Sequence, residues 1–215
     1  MTYLQLVNNI LQRLRERTVS TANESAYSAL IGVLINEAKE EVENAWNWSA
    51  LRTTLSATTT AAVFNYELNG TRNRFKVLDV VNDTSNFFMT YRTASEFNNW
   101  FLNQNPATGA PRYYSFNGVS TEDQDTLVDL YPIPDGAYDL RFNVVMPQVE
   151  LSADSDTLLI PPKPVQMLAY AKAIEERGED GGASANTAYA TAARVLNDAI
   201  AFDSAKHPEE IIWNV

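Results

Sequence analysis

Residues 125–177 read DTLVDLYPIPDGAYDLRFNVVMPQVELSADSDTLLIPPKPVQMLAYAKAIEER, and the fold class turns on how their periodicity changes. Thr126–Tyr131 reads as a short strand. Pro132-Ile133-Pro134-Asp135-Gly136 is turn chemistry: proline fixes φ, Asp closes an Asx-turn and Gly supplies positive φ. From Tyr138 to Met146 the apolar residues Tyr138, Leu140, Phe142, Val144 and Met146 alternate with Asp139, Arg141 and Asn143. Period two marks a half-buried strand, so 126–146 is expected to be a β-hairpin. Pro161-Pro162-Lys163-Pro164 can start a helix but not lie inside one. From Val165 to Arg177 the period is helical, and Gly178 ends it. Strands hand over to helices within this stretch.

Outward from it, both chain ends read as helical. Leu4, Val7, Leu11 and Leu14, widened by Leu6 and Ile10, stripe a helix over about 3–17. Ser20 or Asn23 can cap a second helix reaching Trp46, with Tyr27, Leu30, Ile31, Leu34, Ala38, Val42, Ala45 and Trp46 on one face. Glu37, Glu40, Glu41 and Glu43 lie elsewhere on that helix and read as a solvated face. Between the ends, 52–60 is a strand or extended linker. Residues 62–68 and 74–81 are strands around the hairpin signal Asn69-Gly70, and 87–91 is a short apolar run. A small aromatic helix is expected over 95–102, and a strand and turn over 111–118. The last helix spans about 186–205, with Tyr189, Ala192, Ala193, Leu196 and Ile200 recurring at helical spacing.

Helices and strands in separate blocks indicate α+β. The expected architecture is a helical layer built from both chain ends with an inserted, mostly antiparallel β subdomain. Its divisions are 1–51 for the N-terminal helices, 52–160 for the inserted subdomain with its short helix, 161–205 for the C-terminal helices and 206–215 for a tail.

Composition narrows the chemistry. The 215 residues include no cysteine, so disulfide frameworks, thiolate metal sites and cysteine nucleophiles are excluded. No apolar run approaches a membrane span and no secretory leader is visible. A formal net charge of −11 argues against a surface that grips phosphates. One histidine, His207, leaves little room for a triad or a histidine-rich metal site. No phosphate-binding or nucleophile-elbow motif occurs. Asp154-Ser155-Asp156 lacks the rest of a calcium loop and reads as a turn. Glu175, Glu176, Glu179 and Asp180 read as a charged helix end rather than paired catalytic carboxylates. No catalytic residue, metal or cofactor is assigned. The segment Ile211-Ile212-Trp213-Asn214-Val215 is apolar and follows Pro208. It either folds back on its own helices or docks on a neighbour.

PRYYSFNG, LYPIPDGAYDLRF and LSADSD followed by IPPKPVQMLAYAKAIEERGED together resemble the head-to-tail adaptor proteins of tailed bacteriophages. Pro111 and Tyr114 match a Pro-x-x-Tyr element. Pro132, Pro134, Asp135 and Tyr138 match Pro-x-Pro-Asp with a following Tyr, and Leu151 and Asp156 match Leu-x-x-x-x-Asp. The N-terminal helices ending at Trp46-x-Trp48 fit the same pattern, so the likeness covers most of the chain.

The resemblance implies a non-enzymatic virion protein at the head–tail interface, assembled in the host cytoplasm. It implies a homo-oligomeric ring, usually of twelvefold symmetry, beneath the portal protein. Such a ring extends the DNA channel without specific DNA binding and offers a platform for the tail nozzle or tube, or for fibres. On this reading Glu37, Glu40, Glu41 and Glu43 are channel-lining candidates, and Ile211, Ile212, Trp213 and Val215 form a portal-binding tail. The competing class is a carbohydrate- or ligand-binding accessory module of a virion, using Trp46, Trp48, Trp100 and the Tyr113/Tyr114 pair.

Overall fold

A computed structural model describes residues 1–71, 74–102, 105–178 and 182–206. The chain divides into two compact units. One comprises Met1–Leu51 with the described residues from Pro147 onward; the other is Arg52–Met146. The fold is α+β, with two mostly antiparallel sheets.

The helical unit is built from α1 (Tyr3–Arg13), α2 (Ala26–Ala45), α4 (Pro162–Arg177) and α5 (Ala183–Ser204). Helix α1 stops four residues short of the sequence expectation. Arg15 adopts the left-handed conformation (φ 60°), and the Arg15 and Glu16 amides donate to the Gln12 and Leu11 carbonyls, a Schellman closure without glycine. Helix α2 is capped by neither Ser20 nor Asn23. The Ser25 and Ser28 hydroxyls each accept the other's amide at 3.0 Å, a reciprocal cap that satisfies two orphan donors. Helix α4 packs against α1, α2 and α5. It buries residues on nearly every side, including Val165, Gln166, Met167, Ala169, Ala171 and Ala173, as expected of a helix enclosed by others. It ends, as read from the sequence, at Gly178 in the left-handed conformation. Facing alanines, Ala185, Ala188 and Ala192 on α5, let the two helices approach closely.

Residues 147–160, assigned to the strands in the sequence reading, belong to the helical unit. Side chains of α2 hold this loop. Asn36 both donates to the Leu151 carbonyl and accepts its amide, each at 3.0 Å. Lys39 donates to the Gln148 carbonyl at 2.7 Å. The Ala22 amide donates to Asp154, and the Ser152 and Ala153 amides to Asp156, all at 2.8 Å. Asp154 and Asp156 thus serve backbone donors, as a turn requires. The two Asp156 bonds hold its carboxyl below the usual carboxylate range.

Among its described residues the strand unit contains two four-stranded sheets, in the orders β1-β8-β3-β4 and β2-β7-β6-β5. The strands are β1 (Arg52–Thr58), β2 (Asn65–Leu68), β3 (Lys76–Asn82), β4 (Phe87–Phe88), β5 (Thr90–Tyr91), β6 (Tyr113–Val119), β7 (Thr126–Tyr131) and β8 (Asp139–Val145). The short helix α3 (Ala94–Phe101) starts at a Thr93/Glu96 capping box. Two expected hairpins are absent. β7 pairs with β2 and β6, whereas β8 pairs with β1 and β3. The turn between them is a corner joining two sheets, and its backbone bonds go elsewhere: the Ala62 amide to Pro134 O, the Ile133 amide to Ala107 O. Around Asn69-Gly70 only Gly70 has positive φ (82°), so the paired left-handed residues of a type I′ hairpin turn are missing. Strands β2 and β3 consequently enter different sheets. Each sheet still has a member of the 126–146 segment at its interior, and the alternation there is correct. Leu140, Phe142 and Val144 are buried with Val128, Leu130, Leu68, Val80, Met89 and Tyr114 in one core fed by both sheets.

Candidate functional site

Helical geometry sorts the four glutamates of α2 into two environments. Glu37 and Glu41 lie one turn apart and both approach the ammonium of Lys172 on α4, at 3.4 and 2.8 Å. Their side chains remain about half exposed. The hydrogen bond that Lys172 donates to Glu41, reinforced by Glu37, raises the Lys172 pKa despite partial burial, so this cation stays charged. Glu40 is exposed. Glu43 is not part of a solvated face, contrary to the sequence reading: it is 3% exposed. Its carboxylate takes Lys39 at 3.2 Å and the Gln148 amide at 3.1 Å. The cause is its position one turn after Lys39, on the side of α2 that receives the 147–160 loop.

A second surface lies on the same unit, where the first turn of α4 meets the last turns of α5. Pro161, Pro164, Val195, Ala199 and Phe202 give an open groove of about 410 Å³ an apolar lining, with Lys163, Asp198, Asp203 and Lys206 also on it. Phe202 is 81% exposed. Asp203 is buried and receives the Ser49 amide at 2.9 Å, the Ser49 hydroxyl at 2.6 Å and Lys206 at 3.0 Å. Burial alone would raise its pKa; the Ser49 and Lys206 donors outweigh that and hold it below the usual carboxylate range. The far end of α4 is held differently. Arg177 donates to the Tyr27 hydroxyl at 2.8 Å and the Leu14 carbonyl at 3.4 Å, and pairs with Glu16, joining the end of α1 to the start of α2.

Of the aromatic residues proposed for ligand stacking, Trp48, Trp100, Tyr113 and Tyr114 are engaged within the protein. Trp48 is fully buried, and its indole donates to the Val42 carbonyl at 2.7 Å. Tyr114 is 8% exposed in the sheet core. In the strand unit Trp100 stacks on Tyr131 with centroids 4.5 Å apart and contacts Tyr113 at 5.1 Å. Arg92 covers the Tyr113 ring at 5.3 Å. Trp46 is half-buried at the end of α2. Aromatic faces already stacked on protein offer little to a sugar ring.

Of the remaining candidates, Glu175 accepts a hydrogen bond from Tyr189, and Glu176 is exposed. Glu179, Asp180, His207 and the tail residues Ile211, Ile212, Trp213 and Val215 lie outside the described residues. Among the described residues no group of three or more acidic or histidine side chains is arranged to hold a metal ion. No helix there is long and apolar enough to cross a membrane. Two features escaped the sequence reading. Lys172 had no visible partner until α4 was placed beside α2. Phe202 carried a signal: it lies two residues, about 200° around the helix, from the apolar stripe ending at Ile200.

A family model described as the SU10 adaptor protein matches residues 1–209. That span includes every described element of both units. No curated protein matches the chain.

Proposed function

The chain belongs to the SU10 adaptor protein family of phage head-to-tail adaptors, and from that premise we propose that its copies close into a ring beneath the portal and extend the DNA channel. Membership implies a place in the virion at the head–tail junction and association with portal and tail components. The observation that carries the finer reading is the match across residues 1–209, both units included.

In the proposed ring, head-to-tail contacts close by rotation, with twelve copies as in the adaptors the sequence resembles. The helical unit supplies the subunit contacts. The strand unit offers the platform for the tail nozzle or tube, or for fibres. The half-exposed carboxylates Glu37 and Glu41 and the exposed Glu40 face the passing DNA, where negative potential prevents adhesion to phosphates. Glu43 takes no part, being held inside the fold. The tail segment with Ile211, Ile212, Trp213 and Val215 anchors each copy on an apolar cleft of the portal, with Trp213 the dominant contact and ring repetition multiplying weak contacts. Assembly takes place in the host cytoplasm.

Electron microscopy of the protein mixed with purified portal tests the ring: added annular density on one face of the portal is expected, and portal particles indistinguishable from the untreated sample would sink the proposal. Replacing Glu37, Glu40 and Glu41 by Lys tests the channel role. Folding should persist, since exposed pairs contribute about 0–1 kcal/mol each, while DNA ejection slows. Unchanged ejection kinetics would remove these residues from the channel.

A further inference from the structure

We propose that two copies of the free protein pair through the open edge of β1, antiparallel and about a two-fold axis at Leu55, so that their β1-β8-β3-β4 sheets become one continuous sheet. The contact stands apart from the ring. Neighbours in a ring meet through unlike surfaces, whereas this contact joins like to like, so it belongs to the protein before assembly.

Strand β1 presents an unused ladder. It pairs with β8 in unbroken antiparallel register from Arg52↔Val145 to Thr58↔Asp139. Just beyond it the Thr59 amide donates to the Tyr138 carbonyl at 2.9 Å. Antiparallel bonding alternates, so Thr53, Leu55 and Ala57 turn their amides and carbonyls toward β8, and Thr54, Ser56 and Thr58 turn theirs outward. The far side of β8 agrees: the Asp139 carbonyl accepts the Asp83 amide at 2.8 Å. Among the described residues the outward groups of Thr54, Ser56 and Thr58 have no backbone partner, and all three residues are exposed. Open edges are ordinarily blunted by proline, lysine, a bulge or brevity. The seven residues RTTLSAT of β1 have none of these. The other sheet edges are shorter: β4 and β5 have two residues each, and β2 has four with Glu67 among them.

The edge is its own complement. With Leu55 on the axis, all seven residues overlap. Thr54 then exchanges both backbone bonds with Ser56 of the second copy, and Arg52 lies opposite Thr58. Leu55, half-buried against the sheet core, meets its counterpart with Cα atoms about 4.5 Å apart. On the outer side hydroxyl faces hydroxyl, a favourable cross-strand pairing. Charge selects the same partner. Two chains of net charge −11 repel over most of their surfaces, yet from Asn44 to Tyr66 the only charged residue is Arg52. Pairing sets Arg52 beside Thr58 of the second copy, whose hydroxyl donates to Asp139 at 2.8 Å. A cation thus approaches an anion at both ends of the contact. Each copy offers one such edge, so the contact closes at two copies. It is small, in the class below about 1,200 Å², and so dissociates readily.

Sedimentation of the full chain from about 1 µM to about 1 mM, the range of weak contacts, should show monomers converting to dimers. Ser56→Pro removes an outward amide and no β8 bond, the one setting in which an edge strand tolerates proline. It should weaken dimerisation by about 10-fold or more with the far-ultraviolet circular dichroism unchanged. Ser56→Lys, which charges the edge, should act likewise and guards against a strand disturbed by proline. Monomers at every concentration, or an assembly that both variants leave unchanged, would overturn the proposal. The absence of native cysteine lets the register be tested as well. Thr54→Cys and Ser56→Cys proteins, oxidised as a mixture, bring Cα atoms within about 5.5 Å, inside disulfide range. In either protein alone the cysteines sit diagonally, about 7–8 Å apart, outside it. Covalent dimers should therefore form about 10-fold faster in the mixture; equal rates in all three samples would also overturn the proposal.

Discussion

Replacing Glu43 by Leu should destabilise the helical unit far more than a surface mutation. Lys39 is 3% exposed and its ammonium contacts both Glu43 carboxylate oxygens, at 3.2 and 3.4 Å, and the Gln148 carbonyl at 2.7 Å. Removing the carboxylate leaves a buried cation with one neutral acceptor. Breaking one side of a buried pair costs about 3–5 kcal/mol, against about 0.2–1 kcal/mol for an exposed pair. At about 4 °C per kcal/mol the melting temperature should fall by about 12–20 °C. Urea unfolding followed by the fluorescence of buried Trp48, with Trp100→Phe to remove the signal of the strand unit, measures the loss. The double variant Lys39→Met/Glu43→Leu should recover much of it, because apolar replacement of a whole buried pair is often near neutral. Recovery should be incomplete by about 1–3 kcal/mol, since the Gln148 amide and carbonyl each lose a partner. A single-variant loss below about 1 kcal/mol would mean that the pair is energetically wet, and the reasoning from burial would fail.

Gly32→Ala should also destabilise: a Cβ there would overlap the Tyr3 hydroxyl and lie 3.1 Å from Cζ of that rigid ring. Overpacking costs about 1–3 kcal/mol and outweighs a helix-propensity gain of at most about 1 kcal/mol; denaturant midpoints check the sign. Asp203→Asn should cost about 1–2 kcal/mol at neutral pH through weaker acceptance from Ser49. Because the Asp203 pKa is depressed in the fold, its stabilisation is present above about pH 3.9 and lost as pH falls through the folded value. The variant should therefore show a shallower acid limb in a stability–pH series. Tyr189 is pushed up to about 12, by burial first and then by its bond to Glu175. Its contribution is full below about pH 10 and lost as pH climbs through that raised value, so the phenolate absorbance missing from Tyr189→Phe should appear near pH 12 and not near 10.

Periodicity told which residues face inward and was silent about which strand lies alongside. Leu140, Phe142 and Val144 alternate and are buried as read, yet their strand pairs with Leu55 and Val80 rather than with the preceding strand. Alternation is a property of one strand, whereas pairing depends on residues about sixty to ninety positions away, here 55 and 80 against 142. Turn chemistry misled in the same way. Pro132 to Gly136 and Asn69-Gly70 do reverse or redirect the chain, but the redirected chain leaves its sheet. Helices fared better because their signals are local: the Gly178 stop is where the sequence put it. The failure at α1 came from Arg15, a non-glycine residue in a conformation that ordinarily costs about 1–2 kcal/mol, which no local rule would select.

The acidic run on α2 shows why a surface is harder to read than a fold. Along the sequence Glu37, Glu40, Glu41 and Glu43 are one block, and a block of carboxylates suggests one negative surface. A helix distributes them by angle, and the angle alone does not say which side the loop from Gln148 onward will cover. Asn36, Lys39 and Glu43 are the residues that loop engages, so Glu43 is withdrawn from solvent. On the other side, α4 brings Lys172 between Glu37 and Glu41. Glu37, Glu40, Glu41 and Lys172 together carry a formal charge of about −2, roughly half of what four solvated glutamates would supply at neutral pH. Repulsion of DNA by this face would then depend on summation over many copies, since one subunit's residual charge is largely screened beyond about 8–10 Å at physiological salt. A closed ring supplies that summation, because each copy presents the same residues toward one axis. The partial neutralisation by Lys172 is therefore compatible with a channel role only in the assembled state, where charge reversal at Glu40 is repeated in every subunit.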